Sequence, residues 1–359
     1  MSDFSEQFIG QNLVSMHATN PEPFTQIELE KTIDQPFSEI IKNTNLGFAP
    51  DQGTEVLRHT LVENLYNGIT TNDIITHAGA QEAIYCAFNA VLKAGDRVLV
   101  VSPIFEPLVQ IPENMGCDVH YVELNPTDNW SLDLTMIENQ FKHGCKMFII
   151  NFPHNPTGAT INLNELNQIV SLCEKYGVWL LSDEVFRGLE HEIIDRLPAV
   201  ADLYDKGISI GVISKAFAVP GLRVGWLVCK NEDFRKEVIN IKGYLSICNS
   251  QVDEKLVSAL LQSADKLLLR NLNIINKNKK LLDDFNSIMD CNIDVFLPKA
   301  GCCVFARILD DLGSIELVKN MASKHQYLMY PNTLFKTNIN AIRIGFGGSR
   351  FQKFIEKIR

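Results

Sequence analysis

A series of short runs rich in Val, Ile and Leu, spaced by stretches of helical periodicity, constrains this chain more than any other feature. Lys146 to Phe152, Val178 to Asp183, Ile208 to Ser214 and Arg223 to Cys229 are almost continuously apolar. A strand with no polar face must be covered on both sides, as in a parallel sheet sandwiched between helices. Arg97 to Val101, after the turn signal Gly95-Asp96, and Asp118 to Leu124, ending in Asn125-Pro126, read as further strands. Ile74 to His77 reads as a strand, with Ala80 to Leu92 and Leu132 to Phe141 as helices. The pattern predicts an α/β fold with a mainly parallel central sheet. Glu232 to Met289 reads as one long helical stretch, without proline or glycine after Gly243, crossing to a second domain. From 292 to 359 the order strand, strand, helix, strand, helix suits a smaller α+β lobe. We therefore expect a large domain over 40–268 and a small one formed by 1–39 and 269–359. The first 40 residues are irregular and fit either the small lobe or a wrap around a neighbouring subunit.

The chain has 359 residues, 46% of them hydrophobic, enough for a large core. A net charge of −10 argues against a nucleic-acid backbone or an anionic membrane as main partner. There is no run of 18 apolar residues, and the start Met1-Ser2-Asp3-Phe4-Ser5-Glu6 has no signal-peptide pattern. The nine cysteines form no CxxC pair; only Cys302 and Cys303 adjoin. Reduced thiols in a cytoplasmic protein are the economical reading, and no Cys/His cluster suggests a metal.

Chemistry concentrates in a few segments. Lys215 lies in Ile213-Ser214-Lys215-Ala216-Phe217-Ala218-Val219-Pro220-Gly221-Leu222-Arg223. Among small and apolar neighbours its amine is poorly solvated, which favours the neutral, nucleophilic form, and Arg223 supplies a fixed charge for an anion. The pair suggests an amine tethering an anionic aldehyde such as pyridoxal phosphate (PLP). Asn151-Phe152-Pro153-His154-Asn155-Pro156-Thr157-Gly158 makes a rigid turn after an apolar strand, and Asn155 there can reach a ligand oxygen. Asp183 ends another buried strand, where a carboxylate is costly without a cation. A protonated pyridine nitrogen is such a cation. Gly79-Ala80-Gln81 joins a strand to a helix whose first N–H groups suit a phosphate. Taken singly, a core lysine, an ordinary turn, a strand end or helix cap, and a common strand-to-helix turn account for each.

In combination, Asn155-Pro156-Thr157-Gly158, then Ser182-Asp183-Glu184-Val185, then the Lys215 segment through Trp226 resemble the fold-type I PLP enzymes of the aminotransferase class I/II family. Ser182 to Leu189 and Ala201-Asp202-Leu203-Tyr204 are similar to a group of short aminotransferase-like enzymes that includes capreomycidine synthase. The resemblance implies a PLP cofactor and a homodimer with its site at the subunit interface. It implies an aminotransferase that uses an L-amino acid and a 2-oxo acid in a ping-pong cycle of aldimine and ketimine forms. Elimination, cyclisation or oxidative deamination of an amino acid on the same PLP chemistry is the alternative, and a non-catalytic PLP-binding homologue is a third.

The family pattern also implies roles. Lys215 would be the Schiff-base lysine and proton shuttle, Asp183 the partner of the pyridine nitrogen, and Asn155 the donor to the ring's phenolic oxygen. Gly79, Ala80, Gln81, Ser214 and Arg223 would hold the phosphate, and Phe105 would stack on the ring. Arg343, in Ala341-Ile342-Arg343-Ile344-Gly345, would bind the substrate carboxylate next to Asn155. Three positions depart from the pattern. Phe186 stands where the family carries a tyrosine, Phe48 opens Phe48-Ala49-Pro50-Asp51-Gln52-Gly53 in place of another, and Val212 replaces a serine. Each removes a hydroxyl donor. The substrate side chain is open: Asp51, Glu106 or Glu190 would suit a basic one, and the phenylalanines an aromatic one.

Overall fold

The computed structural model describes residues 2–283, 285, 289 and 291–358. A seven-stranded sheet runs in the order β2-β8-β7-β6-β5-β3-β4, from β2 (Ile74–His77), β3 (Arg97–Ser102), β4 (Asp118–Glu123), β5 (Met147–Ile150), β6 (Trp179–Asp183), β7 (Gly207–Val212) and β8 (Gly225–Val228). The strands expected from the apolar runs are all present. Alternation along each strand sorts side chains into two cores. Val98, Val100, Ile149, Leu181, Ile208 and Ile210 enter one. Leu99, Val101, Phe148, Ile150, Leu180 and Val228 enter the other. Helices cover both faces, so a continuous apolar run is what each central strand requires.

From β4 to β7 the ladders are parallel, but β8 runs antiparallel to both β7 and β2. The β7–β8 connection accounts for this. Residues 213–224, broken by Pro220 and Gly221, form only the 3-10 turn Pro220–Leu222 and no crossover helix, so the chain turns back, with Ile213 N–H bonded to the Val224 carbonyl at 3.1 Å. Two reversals bring β2 back to the direction of β7. His77, Gly225 and Val212 then stand in register at one edge of the sheet. The ends of β5, β6 and β7, the start of the helix Ala80–Val91 and the Lys215 segment all meet at that edge, where open α/β sheets bind ligands.

The expected single helical stretch over 232–289 is three helices, Glu232–Lys242, Gln251–Leu261 and Ala264–Lys279; near its far end, 284 and 286–288 lie outside the described residues. Periodicity alone missed the breaks. The first helix ends at Gly243, and Ile247 takes a positive φ of 64°. Ser250 then caps the next helix through Asp253 N–H at 3.3 Å. The helix Ala264–Lys279 runs through position 268, where sequence reasoning places the change of domain.

The C-terminal lobe carries an antiparallel sheet ordered β12-β13-β10-β9, made of Tyr330–Pro331, Ala341–Gly345, Cys303–Ile308 and Ile293–Asp294. The N-terminal segment docks on this lobe within one chain. β1 (Val14–Ser15) pairs in parallel with β11 (Tyr327–Leu328), and Gly345 N–H donates to the Met16 carbonyl at 2.5 Å. Among the described residues no helix is long and apolar enough to cross a membrane.

Candidate active site

Lys215 follows β7, and its Nζ donates to the Thr19 hydroxyl at 2.8 Å. Burial pushes its amine below the ordinary lysine range, and the Arg343 charge adds to the effect. The thiols of Cys302 and Cys303 flank it but cannot offset this. Burial pushes both up, Cys303 to about 11, so they stay protonated and carry no charge at neutral pH. Asp183 ends β6 and is 3% exposed. Burial pushes its carboxyl up to about 6, opposed by the Val185 N–H at 3.2 Å and by the Lys215 charge. A strained acid and a strained amine thus face the same space.

Asn151 locks the neighbouring strand ends together. Its Nδ2 donates to the Asp183 carbonyl at 2.7 Å, while its Oδ1 accepts from the Asn155 N–H at 2.9 Å. This aims the Asn155 side chain, whose Oδ1 accepts from Arg343 Nη1 at 3.0 Å. Arg343 lies in the middle of the small sheet, opposite Phe305 and Tyr330. It is 4% exposed, and its guanidinium lies over the rings of Phe335 and Tyr330, at 4.9 and 5.3 Å. Nη2 donates to the His17 carbonyl at 2.8 Å, and Nε has no partner among the described residues. His17 stacks on Tyr330, with ring centroids 3.9 Å apart and planes within 4°. Burial and then the Arg343 charge hold it down at about 4, so it is neutral at physiological pH.

At the β2 end of the same edge, Gly79 has φ 91° and begins the helix Ala80–Val91. A Cβ there would come within 2.6 Å of Arg223 Nη2, so the glycine admits the guanidinium against the helix start. Gly225 plays the same part for the backbone, since a Cβ on it would meet Ala80 N at 2.5 Å. Arg223 and Gln81 are exposed, and Ser214 is buried beside Lys215. A helix start with an arginine pressed against it is an anion cradle.

The structure thus gathers Lys215, Asp183, Asn155 and Arg343 into one cluster, and Gly79, Ala80 and Arg223 into another at the same sheet edge. Phe105 follows β3, half-buried, and packs into the core under the helix Ala80–Val91. Phe186 is fully buried, and its ring stands against Gly301, where a Cβ would approach to 3.2 Å. Sequence reasoning missed Thr19, His17, Asn151 and Tyr330. The N-terminal pair lies in an irregular segment with no periodicity to read. Asn151 was visible only as part of its turn.

These features fit PLP. A carboxyl raised by burial suits a pyridinium nitrogen, the cradle suits a phosphate, and the depressed lysine suits an aldehyde.

Comparison with known proteins agrees. Residues 22–353 match the model of the family described as aminotransferase class I and II. Capreomycidine synthase of Streptomyces vinaceus is 28% identical over 301 residues, covering 84% of this chain and 76% of that protein. Aspartate aminotransferase of Pyrococcus horikoshii is 25% identical over 324 residues, covering 86% of this chain and 80% of its own. The crystal structure of a PLP-dependent aminotransferase from Streptococcus suis superposes with a TM-score of 0.89 at 24% identity, over 99% of this chain and 95% of the other. The chain therefore belongs to the aminotransferase class I and II family, adopts the fold-type I architecture, and is an enzyme whose cofactor is PLP.

Proposed function

We propose that the chain is an aminotransferase that takes the amino group of an L-amino acid and passes it to a 2-oxo acid. The carrying observation is Arg343. It is a buried guanidinium, held by Asn155 and the His17 carbonyl, with Nε unpartnered and its charge felt at Lys215. A buried cation with no carboxylate partner among the described residues calls for one from the substrate, and amino and 2-oxo acids share that group.

When bound, PLP supplies an electron sink for the charge left at the substrate Cα. Asp183 would hold its pyridine nitrogen protonated, Asn155 would bond the phenolic oxygen, and Arg223, Ser214 and the N–H groups of Gly79, Ala80 and Gln81 would hold the phosphate. Arg343 binds the substrate carboxylate and fixes the orientation of the Cα–H bond. Lys215 Nζ, whose charged form burial disfavours, takes the Cα proton. Thr19 Oγ1 holds that amine in place. The strap from Met16 to Thr19, tied to Gly345, Arg343 and Lys215, covers the site from the small-lobe side.

Two observations favour a second reading, a PLP reaction other than transamination. The relative from Streptomyces vinaceus is named a synthase, and the hydroxyls expected at 48, 186 and 212 are missing here. We also infer a homodimer. Leu46, Phe48 and Tyr244 are 83–86% exposed, and a cleft brings 46–49 beside 248–252, an apolar surface suited to a second copy. The test is a panel of L-amino acids with and without a 2-oxo acid acceptor, in air and under nitrogen. Acceptor-dependent formation of a new amino acid supports transamination. Ammonia release or oxygen uptake without acceptor supports the second reading.

A further inference from the structure

The two rings that lie against the Arg343 guanidinium are held in different ways. Tyr330 belongs to the small sheet and stands in register with Arg343. Phe335 is fully buried but belongs to no strand; it closes the 3-10 turn Asn332–Phe335 between β12 and β13. The start of that turn is tied within its own lobe, where Ser314 Oγ donates to Asn332 Oδ1 at 2.5 Å. Its end is tied to the large domain. The Ile104 N–H donates to the Phe335 carbonyl at 2.9 Å, and the Ser102 hydroxyl donates to the Lys336 carbonyl at 2.9 Å. Lys336 Nζ donates to Glu113 Oε2 at 2.9 Å, and the Tyr121 hydroxyl donates to Oε1 of the same carboxylate at 3.0 Å. The Thr337 hydroxyl donates to Glu123, the last residue of β4. Lys336 itself takes a left-handed backbone, with φ 52°. That conformation is costly for a residue with a Cβ and persists where surrounding bonds impose it. Here Ser102 and Glu113 supply those bonds.

Arg343 bonds to the Asn155 side chain and the His17 carbonyl, both neutral oxygens. Neutral acceptors restrain a guanidinium less than a paired carboxylate would, so the rings against it help to set where its donors point. The Phe335 ring, 4.9 Å away, acts from the position that the 335–337 corner fixes, and the large domain fixes that corner. We propose that Lys336 and Glu113 form a latch that holds the Phe335 ring against Arg343 and so aligns Arg343 with the substrate carboxylate. Lys336 is then a positioning residue, remote from the reacting atoms. The inference rests on the reading that Arg343 binds that carboxylate. The two side chains of the latch are 34% and 30% exposed, so the pair adds little to overall stability, and its loss shows in substrate binding rather than in unfolding.

The test compares Lys336→Met and Glu113→Gln holoenzymes on two substrates, the L-amino acid that the panel finds best and the amine of the same side chain. Each variant should raise KM for the amino acid about threefold, within what a half-exposed ion pair supports, and leave kcat within about twofold. The amine, which lacks the carboxylate, should be unaffected. The double variant should lose no more than either single one, and Lys336→Arg should restore the parent KM. In an Arg343→Leu background, Lys336→Met should cost nothing further, because the residue it positions is gone. A merely structural role predicts the same loss in both backgrounds and on both substrates. Thermal melts confirm that each variant is folded. A parent KM in both single variants, an equal loss on the amine, or an additive loss in the Arg343→Leu background overturns the latch. An Arg343→Leu enzyme that loses amino acid and amine alike would refute carboxylate binding by Arg343 itself, and the latch with it.

Discussion

Replacing Asp183 with asparagine should stabilise the cofactor-free protein and weaken the hold on the cofactor. The carboxyl ordinarily titrates at 3.8, and burial raises it to about 6 in the folded chain. A raised acid favours the folded state only while it is protonated. Well below pH 3.8, both states carry the proton and the group is neutral in the balance. As pH rises the unfolded chain ionises first, and stability is lost until the folded carboxyl has also ionised, just above pH 6. Two pH units at ~1.4 kcal/mol each give a loss of about 3 kcal/mol. Asparagine does not titrate, and its Oδ1 can still accept from the Val185 N–H. Urea unfolding of both cofactor-free proteins should show an advantage for Asp183→Asn that shrinks towards zero as pH falls below 3.8 and reaches about 3 kcal/mol near pH 8. Glu184, itself held up at about 7, titrates in both proteins, so the difference isolates Asp183. With cofactor present the order should reverse, because the variant offers no anion to the pyridinium. A variant less stable than the parent at pH 8, or a difference that ignores pH, would refute the claim that burial of the Asp183 charge is only partly compensated.

Arg343→Leu should lower kcat/KM for amino acids and 2-oxo acids alike by about 100-fold, the loss of a charged hydrogen-bonded contact of ~2–3 kcal/mol. Steady-state kinetics on a carboxylate-free amine should be little changed, and an equal loss there would contradict carboxylate binding. Phe186→Tyr should restore a donor near the cofactor and lower the pH midpoint of the holoenzyme's absorbance change. A spectral titration showing no shift, or a rise, counts against that placement. Thr19→Val removes the acceptor at 2.8 Å from Lys215 Nζ, so the lysine of the cofactor-free protein should titrate lower still. Competitive labelling against pH measures this, and an unchanged midpoint means the hydroxyl does not hold the ammonium.

Much of the fold was legible because its strands obey a rule sequence can express. Phe148 and Ile150 enter one core and Met147 and Ile149 the other, so β5 must be apolar throughout. The chemistry of the large domain was legible because Asn155, Asp183, Lys215 and Gly79 each follow a strand ending at one edge. The antiparallel β8 was not read from the pattern, since burial on both faces looks the same in either direction. Nor were the breaks at 243–250, which depend on the Ser250 cap and local φ values rather than on apolar spacing. The strap was illegible for a different reason. Thr19 and His17 reach the site through backbone bonds to β13 and β11, and such pairing leaves no periodicity in so short a segment.

One amine, that of Lys215, carries the chemistry. Borohydride reduction of the holoenzyme followed by proteolysis and mass spectrometry tests it directly. The expected result is a single pyridoxyl phosphate adduct, on Lys215, formed with loss of the visible absorbance. An adduct on another lysine, or none on a protein that has bound the cofactor, would contradict it.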